Sequence, residues 1–239
     1  MLFSSLLDFF FPRMCPVCGK RLELDEHPLC LRCNVDIPRT MFWEHPYDNP
    51  LARIYWGKIP VEKVVAYFYF TPQSAQARLV YGAKYHGQAS IAIELGKMLV
   101  DEMEGVFDDI DCIIPLPVSI RRRMMRGYNQ SEMIVRGISK VTGIPIERHA
   151  VIRKSFDRSQ THLTREERRD NVDNVFVLKD ADAISGKHVL IVDDVITTGA
   201  TTISCANEIL KAENVKISIL ALGFASKAKA QEVPEPMLI

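Results

Sequence analysis

Long apolar runs separated by short polar breaks set the element pattern of this chain. Val61 to Phe70 is apolar or aromatic except at Glu62 and Lys63, and it stops at Thr71-Pro72, which predicts a buried strand. Ala75 to Tyr81 and Ile91 to Met103 carry apolar residues at helical spacing and predict two helices, broken around Gly82, His86 and Gly87. Asp111 to Ser119, DCIIPLPVS, predicts a short buried strand entering a loop that its two prolines hold to one shape. A helix from Ser131 to about Val141 follows, then a brief strand from Val175 to Leu178 and a buried one from Val215 to Leu222. Met41 to Pro60 is rich in Pro, Trp and Tyr with little periodicity. It reads as a linker lying against one of the domains, with Trp43, Tyr47, Tyr55 and Trp56 as packing or contact residues. Cys112 and Cys205 read as small core residues, and Lys227 to Ile239 as a loose tail.

Val189 to Thr202, VLIVDDVITTGATT, carries the strongest chemical signal. Apolar positions Val189 to Val192, Val195 and Ile196 bracket the acids Asp193 and Asp194, a Thr197-Thr198-Gly199 turn follows, and a helical pattern opens at Ala200. The expected local structure is buried strand, tight loop and helix N-terminus. Backbone N–H groups in such a loop form an anion-binding concavity, and the positive end of the helix dipole reinforces it. Thr197, Thr198, Thr201 and Thr202 add hydroxyl donors suited to a phosphate monoester, and Gly199 lets the backbone approach it closely. The two acids can accept hydrogen bonds from sugar hydroxyls. A phosphate cradle beside a diol acceptor describes a site for ribose 5-phosphate. The run resembles the phosphoribosyl pyrophosphate (PRPP) motif of type I phosphoribosyltransferases. A Walker B strand is the sharper competitor, but it needs a Gly-Lys-Ser/Thr loop, and the Gly-Lys pairs here precede Arg21, Ile59, Met98 and His188.

Two cysteine knuckles lie near the N-terminus: Cys15 and Cys18 in CPVCG, Cys30 and Cys33 in CLRCN. Two-residue spacing lets both sulfurs of a knuckle reach one metal, so four thiolates predict a closed, structural Zn²⁺ site with no position left for catalysis. The alternative of two redox dithiols does not require a second pair nearby. A module this small depends on its metal to fold.

Two stretches are locally basic. Arg121, Arg122, Arg123 and Arg126 precede Gly127-Tyr-Asn-Gln130, with no acid between Ser119 and Gln130. They read as a solvated helix start, as a clamp on pyrophosphate oxygens, or as contacts to DNA phosphates. Val151 to Asn171 holds Arg153, Lys154, Arg158, His162, Arg165, Arg168 and Arg169 and is too long and polar for an ordinary connection, which predicts a lid bringing cations over phosphate sites. Lys84, in YGAKYHG, is either an exposed lysine or a contact to phosphate or to the acceptor.

Composition narrows the class without changing this picture. With 47% hydrophobic and 25% charged residues in 239, one or two globular domains are expected. The formal net charge is zero, so any basic site is local. The apolar start Leu2 to Phe11 contains Asp8, lacks a basic n-region or small-residue cleavage site and is too short to span a bilayer. It predicts an amphipathic helix, no stable membrane insertion and a cytoplasmic protein, which the paired CxxC usage also favours.

Taken in order, the apolar start, CPVCG, CLRCN, YGAKYHG, IIPLPVS, RRRMMRGYNQSE, RSQTHLTREERRDN and VLIVDDVITTGATT resemble the ComF family of competence-associated, amidophosphoribosyltransferase-like proteins. The resemblance implies a fold, a site and partners. The fold would be α/β, with a mainly parallel sheet of the type I phosphoribosyltransferase kind at residues 61–239, behind a four-cysteine, zinc-ribbon-like module at residues 1–50. Pro117 and Val118 would belong to the pyrophosphate loop, and Arg158 to the flexible active-site loop. PRPP would sit on Asp193, Asp194, Thr197, Thr198, Gly199, Ala200 and Thr201, with Lys84 and Arg158 assisting. Asp193, Asp194 and Arg126 would serve catalysis, with Mg²⁺ arriving on PRPP. The partners implied are single-stranded DNA and a helicase-like competence protein. The alternative is a module without chemistry that binds PRPP or single-stranded DNA and couples to that partner. The motifs name neither the acceptor nor the oligomeric state.

Overall fold

A computed structural model describes residues 12–82, 89–154 and 175–226. Six strands are present among them: β1 (Val64–Tyr69), β2 (Cys112–Pro115), β3 (Val151–Arg153), β4 (Phe176–Leu178), β5 (His188–Ile196) and β6 (Lys216–Phe224). Four form one parallel sheet in the order β1-β6-β5-β2. An extended segment beside β2 widens the sheet by one parallel bridge, Ile113 to Ile146. β3 and β4 pair antiparallel as a separate ribbon. The central strands are buried on both faces, which is why their sequences read as unbroken apolar runs. Cys112 and Cys205 are fully buried among them.

The helices are α1 (Leu31–Val35), α2 (Ala77–Gly82), α3 (Ala89–Glu102), α4 (Ile120–Arg126), α5 (Gln130–Thr142) and α6 (Ala200–Ile209). From β2, α5 leads outward to Ile146; from β5, α6 leads in the opposite direction to β6. Right-handed crossovers therefore send α5 and α6 to opposite faces of the sheet. This is the expected α/β architecture, whose ligand crevice lies beyond the carboxyl ends of the strands. No described helix is long and apolar enough to cross a membrane.

Two expectations from sequence need correction, and a third gains detail. Arg121 to Arg126 do not merely precede a helix: with Ile120 they form α4. Ser119 caps it, accepting from the Arg122 N–H at 3.3 Å, and Gly127 ends it at φ +79°. None of its residues is buried, so there was no apolar period to read; capping and the helix propensity of Arg and Met hold it. The stretch assigned to a lid opens as a strand, β3, too short for a period test and fixed instead by pairing with β4. Met41 to Pro60 lies against the sheet, as expected, and is firmly packed there. Leu51 and Tyr55 are completely buried, Asn49 accepts from the Leu51 and Ala52 amides, and Trp43 stacks on Tyr67, while Tyr47 and Trp56 stay exposed. The expected N-terminal helix, the break at Lys84, His86 and Gly87, Arg158 with the rest of the lid, and the tail lie outside the described residues.

α3 and α5 cross in close backbone contact. A methyl group on Gly96 would fall on the carbonyl oxygen of Ile134, and one on Gly137 on that of Ile93. Both obstacles are backbone, so neither can rotate away. Gly137→Ala is expected to cost about 3 kcal/mol, read from the midpoint of urea unfolding; an unchanged midpoint would show that the helices can part at no cost.

Candidate functional site

The site is built where β2 and β5 end side by side. Pro115 pairs with Val192, and the Leu116 amide donates to the Val192 carbonyl at 2.9 Å. The loop Leu116–Ser119 thus leaves the sheet level with Asp193 and Asp194. Each acid turns back on its own strand: Asp193 Oδ1 accepts from the Asp194 amide and Asp194 Oδ1 from the Val195 amide, both at 2.8 Å. Both remain only partly buried.

Beyond Ile196 the chain makes its turn through exposed Thr197 and Thr198, and Gly199 opens α6 with φ +73°. Gly199 is buried. A Cβ there would meet Ile54 Cγ2 at 2.9 Å and the Tyr55 ring at 3.3 Å. Thr202 Oγ1 donates to the Gly199 carbonyl at 2.8 Å, so the Tyr55 hydroxyl donates to Thr202 Oγ1 at 2.7 Å. Burial, chiefly, and the nearby negative charge of Asp193 hold the Tyr55 hydroxyl well above its ordinary range, outweighing the Thr202 bond. It remains protonated as a fixed donor. The segment read as a linker thereby clamps the phosphate-sized turn from behind, while Thr197, Thr198, Ala200 and Thr201 keep an exposed face.

A cavity of about 240 Å³ joins these parts, lined by Pro117, Val118, Asp193, Asp194 and Thr201 together with Arg122, Arg126, Gln130, Ser131 and Arg153. A small recess of about 40 Å³, lined by Thr197 to Thr202, opens beside it and shares Asp193, Val195 and Thr201 with it. Among the described site residues, those expected from sequence therefore converge, in two adjoining recesses. Gln130, fully buried and anchored to the Val80 carbonyl at 2.8 Å, accepts from Arg126 at 3.3 Å and steadies it. Arg122 and Arg126, four apart on α4, face the cavity together. The sequence placed Arg153 only among the cations of a lid; the structure sets it in the cavity wall. Its guanidinium lies 5.5 Å from the Phe176 ring centroid, and burial, then repulsion from Arg122, lowers its pKa against the pull of Asp193. A cluster of cations around an acid pair suits a ligand with both phosphates and hydroxyls.

The cysteine cluster lies elsewhere. Sγ atoms of Cys15, Cys18, Cys30 and Cys33 fall within 4.8 Å of one another, a group that could hold one metal ion. The Lys20 amide points at Cys18 Sγ from 3.5 Å. Burial opposes a thiolate at Cys15, yet backbone hydrogen bonds from Cys30, Cys18 and Val17 bring that thiol down to about 7. Burial and the neighbouring thiols push Cys33 strongly up. Four sulfurs held this close without disulfides would repel one another as thiolates, and a cation between them removes that repulsion. That donor set fits Zn²⁺.

Residues 130–236 match the family description Phosphoribosyl transferase domain. Competence protein F of Haemophilus influenzae is 36% identical over 204 residues, 83% of this chain and 82% of that protein. The chain belongs to the ComF family. DNA utilization protein YhgH of Salmonella typhimurium is a more distant relative, 28% identical over 203 residues, 83% of this chain and 84% of that protein. Among solved structures, purine phosphoribosyltransferase from Pyrococcus horikoshii aligns at 22% identity over 57% of this chain and 73% of its own, with a TM-score of 0.33. The allosteric regulatory enzyme of purine biosynthesis aligns at 25% identity over 55% of this chain, with a TM-score of 0.40. This chain spans only 25% of that enzyme. For a ComF chain the cavity at the ends of β2 and β5 is the site to test, and the cysteine cluster is a separate body of chemistry.

Two expectations follow. Protein purified without added zinc should carry about one Zn²⁺ per chain, and Cys33→Ser should lose it; elemental analysis showing no metal beside four freely titrating thiols would exclude the site. Tyr55→Phe removes the donor to Thr202 and should lower stability by about 1 kcal/mol, measured by thermal unfolding against wild type.

Proposed function

We propose that this ComF chain binds PRPP, carried with Mg²⁺, in the cavity between the Pro117–Val118 loop and the Asp193 to Thr202 turn, and transfers its ribose 5-phosphate. One observation carries the reading: an acid pair, a glycine turn at a helix N-terminus and three arginines line adjoining recesses of one site. The 5-phosphate would take the backbone and hydroxyls of Thr197 to Thr201, and the ribose hydroxyls would donate to Asp193 and Asp194. The pyrophosphate would lie along the Leu116–Ser119 loop, with Arg122, Arg126 and Arg153 on its oxygens. In the transfer the bond from C1 to pyrophosphate breaks and one to the acceptor forms. Charge growing on the sugar ring would be balanced by the two carboxylates, and charge on the leaving group by the arginines. When bound with PRPP, Mg²⁺ would add positive charge beside the leaving pyrophosphate. The cavity's carboxylates, Asp193 and Asp194, offer too few ligands for an all-protein cage, which fits an ion held mainly by substrate oxygens and water.

A second reading has its own support. α4 presents Met124 and Met125, 80% and 74% exposed, beside Arg121, an exposed apolar and basic surface whose cation suits the phosphates of single-stranded DNA. The names of the relatives, a competence protein and a DNA utilization protein, point the same way. In this reading the chain senses PRPP and couples DNA to a helicase-like partner during uptake, without chemistry.

Calorimetry with PRPP and Mg²⁺ tests the shared part of both readings. Wild type should bind, and Asp194→Ala should weaken binding at least about tenfold. Gly199→Val is a poor probe, because it would also collide with Ile54 and Tyr55. Undiminished binding by Asp194→Ala would place PRPP elsewhere. Pyrophosphate release in the presence of mixed acceptors then separates enzyme from sensor.

A further inference from the structure

On the far side of the Pro117–Val118 wall lies a second cleft of about 380 Å³, a size suited to a small organic ligand. Its arginines differ from those of the first cavity: Arg123, Arg136 and Arg148 line it, and only Arg153 faces both. α4 thus divides its cations, Arg122 and Arg126 on one side and Arg123 on the other. The carboxylate lining the second cleft is Glu132, which binds Arg136 at 2.9 Å and Arg148 at 3.4 Å. Four arginines against one carboxylate leave a surplus of positive charge suited to an anion.

The floor of the cleft asks for something else. Asn129 is 7% exposed and gives its amide to the Leu116 carbonyl at 3.0 Å, yet its Oδ1 is buried with no partner. Arg136 Nε is likewise buried and unpaired. A buried acceptor left unmet costs about 1–3 kcal/mol, and an arriving N–H or O–H donor would relieve that cost. Between floor and rim the walls include the apolar side chains of Val118 and Ile152. A flat body with a donor edge and an anionic end matches these three demands together.

We propose that this cleft binds one nucleoside monophosphate unit, its base against Val118 and Ile152 with an N–H edge on Asn129 Oδ1, and its phosphate on Arg123 and Arg148. The unit comes either as a free nucleotide or as a residue of a single strand, since both present the same groups. The proposal does not rest on PRPP binding in the neighbouring cavity.

The full chain is titrated with AMP, CMP, inorganic phosphate and a short single-stranded oligonucleotide, without PRPP. Asn129→Ala would also free the Leu116 carbonyl it anchors, so the arginines at the rim carry the test. Arg123→Ala and Arg148→Ala, at exposed positions, should each weaken nucleotide binding about tenfold. Asp194→Ala, which disables the other cavity, should leave it intact. Binding of the oligonucleotide alone, with the same dependence on Arg123 and Arg148, identifies a strand as the source; binding of AMP or CMP identifies free nucleotides. Three results overturn the proposal: no binding of any nucleotide or strand, binding lost in Asp194→Ala but kept in both arginine variants, or inorganic phosphate binding as tightly as AMP.

Discussion

β2 and β5 are hydrogen-bonded neighbours running the same way, and the register between them decides what meets at the top of the sheet. Pro115 stands beside Val192, so the proline loop and the acid pair emerge at the same height. A shift of one residue would turn Asp193 and Asp194 to the opposite faces and separate them from Pro117 and Val118. That register is held by its end: a slip would draw the Asp193 carboxylate down beside buried Pro115 or push apolar Val192 out beyond it, burying a charge or exposing an apolar side chain. The core thereby sets the geometry of the polar site above it.

The same logic extends to the turn after β5. Its exposed residues face outward because its buried side is occupied by Ile54 and Tyr55, which reach it from the N-terminal part of the chain. The phosphate-sized loop is thus supported by a segment distant in sequence. Held from behind, it can meet an anion without first being ordered, which lowers the entropic cost of binding.

The strand, turn and helix at Val189 to Thr202 were legible because a strand buried on both faces leaves an unbroken apolar run, and the two acids interrupt it where it reaches solvent. The cysteine pairs were legible by spacing alone. α4 was not, since a helix with no buried residue writes no period into the sequence. Nor was the position of Arg153: it is set by pairing of β3 with β4 across residues 155–174, and by the Phe176 ring beneath it, both tertiary facts. The role of Tyr55 was hidden for a similar reason. An aromatic in an aperiodic stretch shows that it packs somewhere, without saying against what.

The route of the chain from cysteine cluster to sheet closes an otherwise open flank. β1 is an edge strand, rich in apolar residues, and such an edge can template pairing with another chain. Here residues 38–49 run along it. The Tyr69 amide donates to the Pro38 carbonyl, the Thr40 amide to the Tyr67 carbonyl, the Val64 amide to the Pro46 carbonyl and the Asn49 side chain to the Val64 carbonyl, at 2.9 to 3.0 Å. Arg39 fastens the start of this cover to Glu102 on α3. The strap therefore acts as a built-in guard against edge-to-edge aggregation, and a sheet domain expressed from β1 onward would lose it and present a ready template to its own copies.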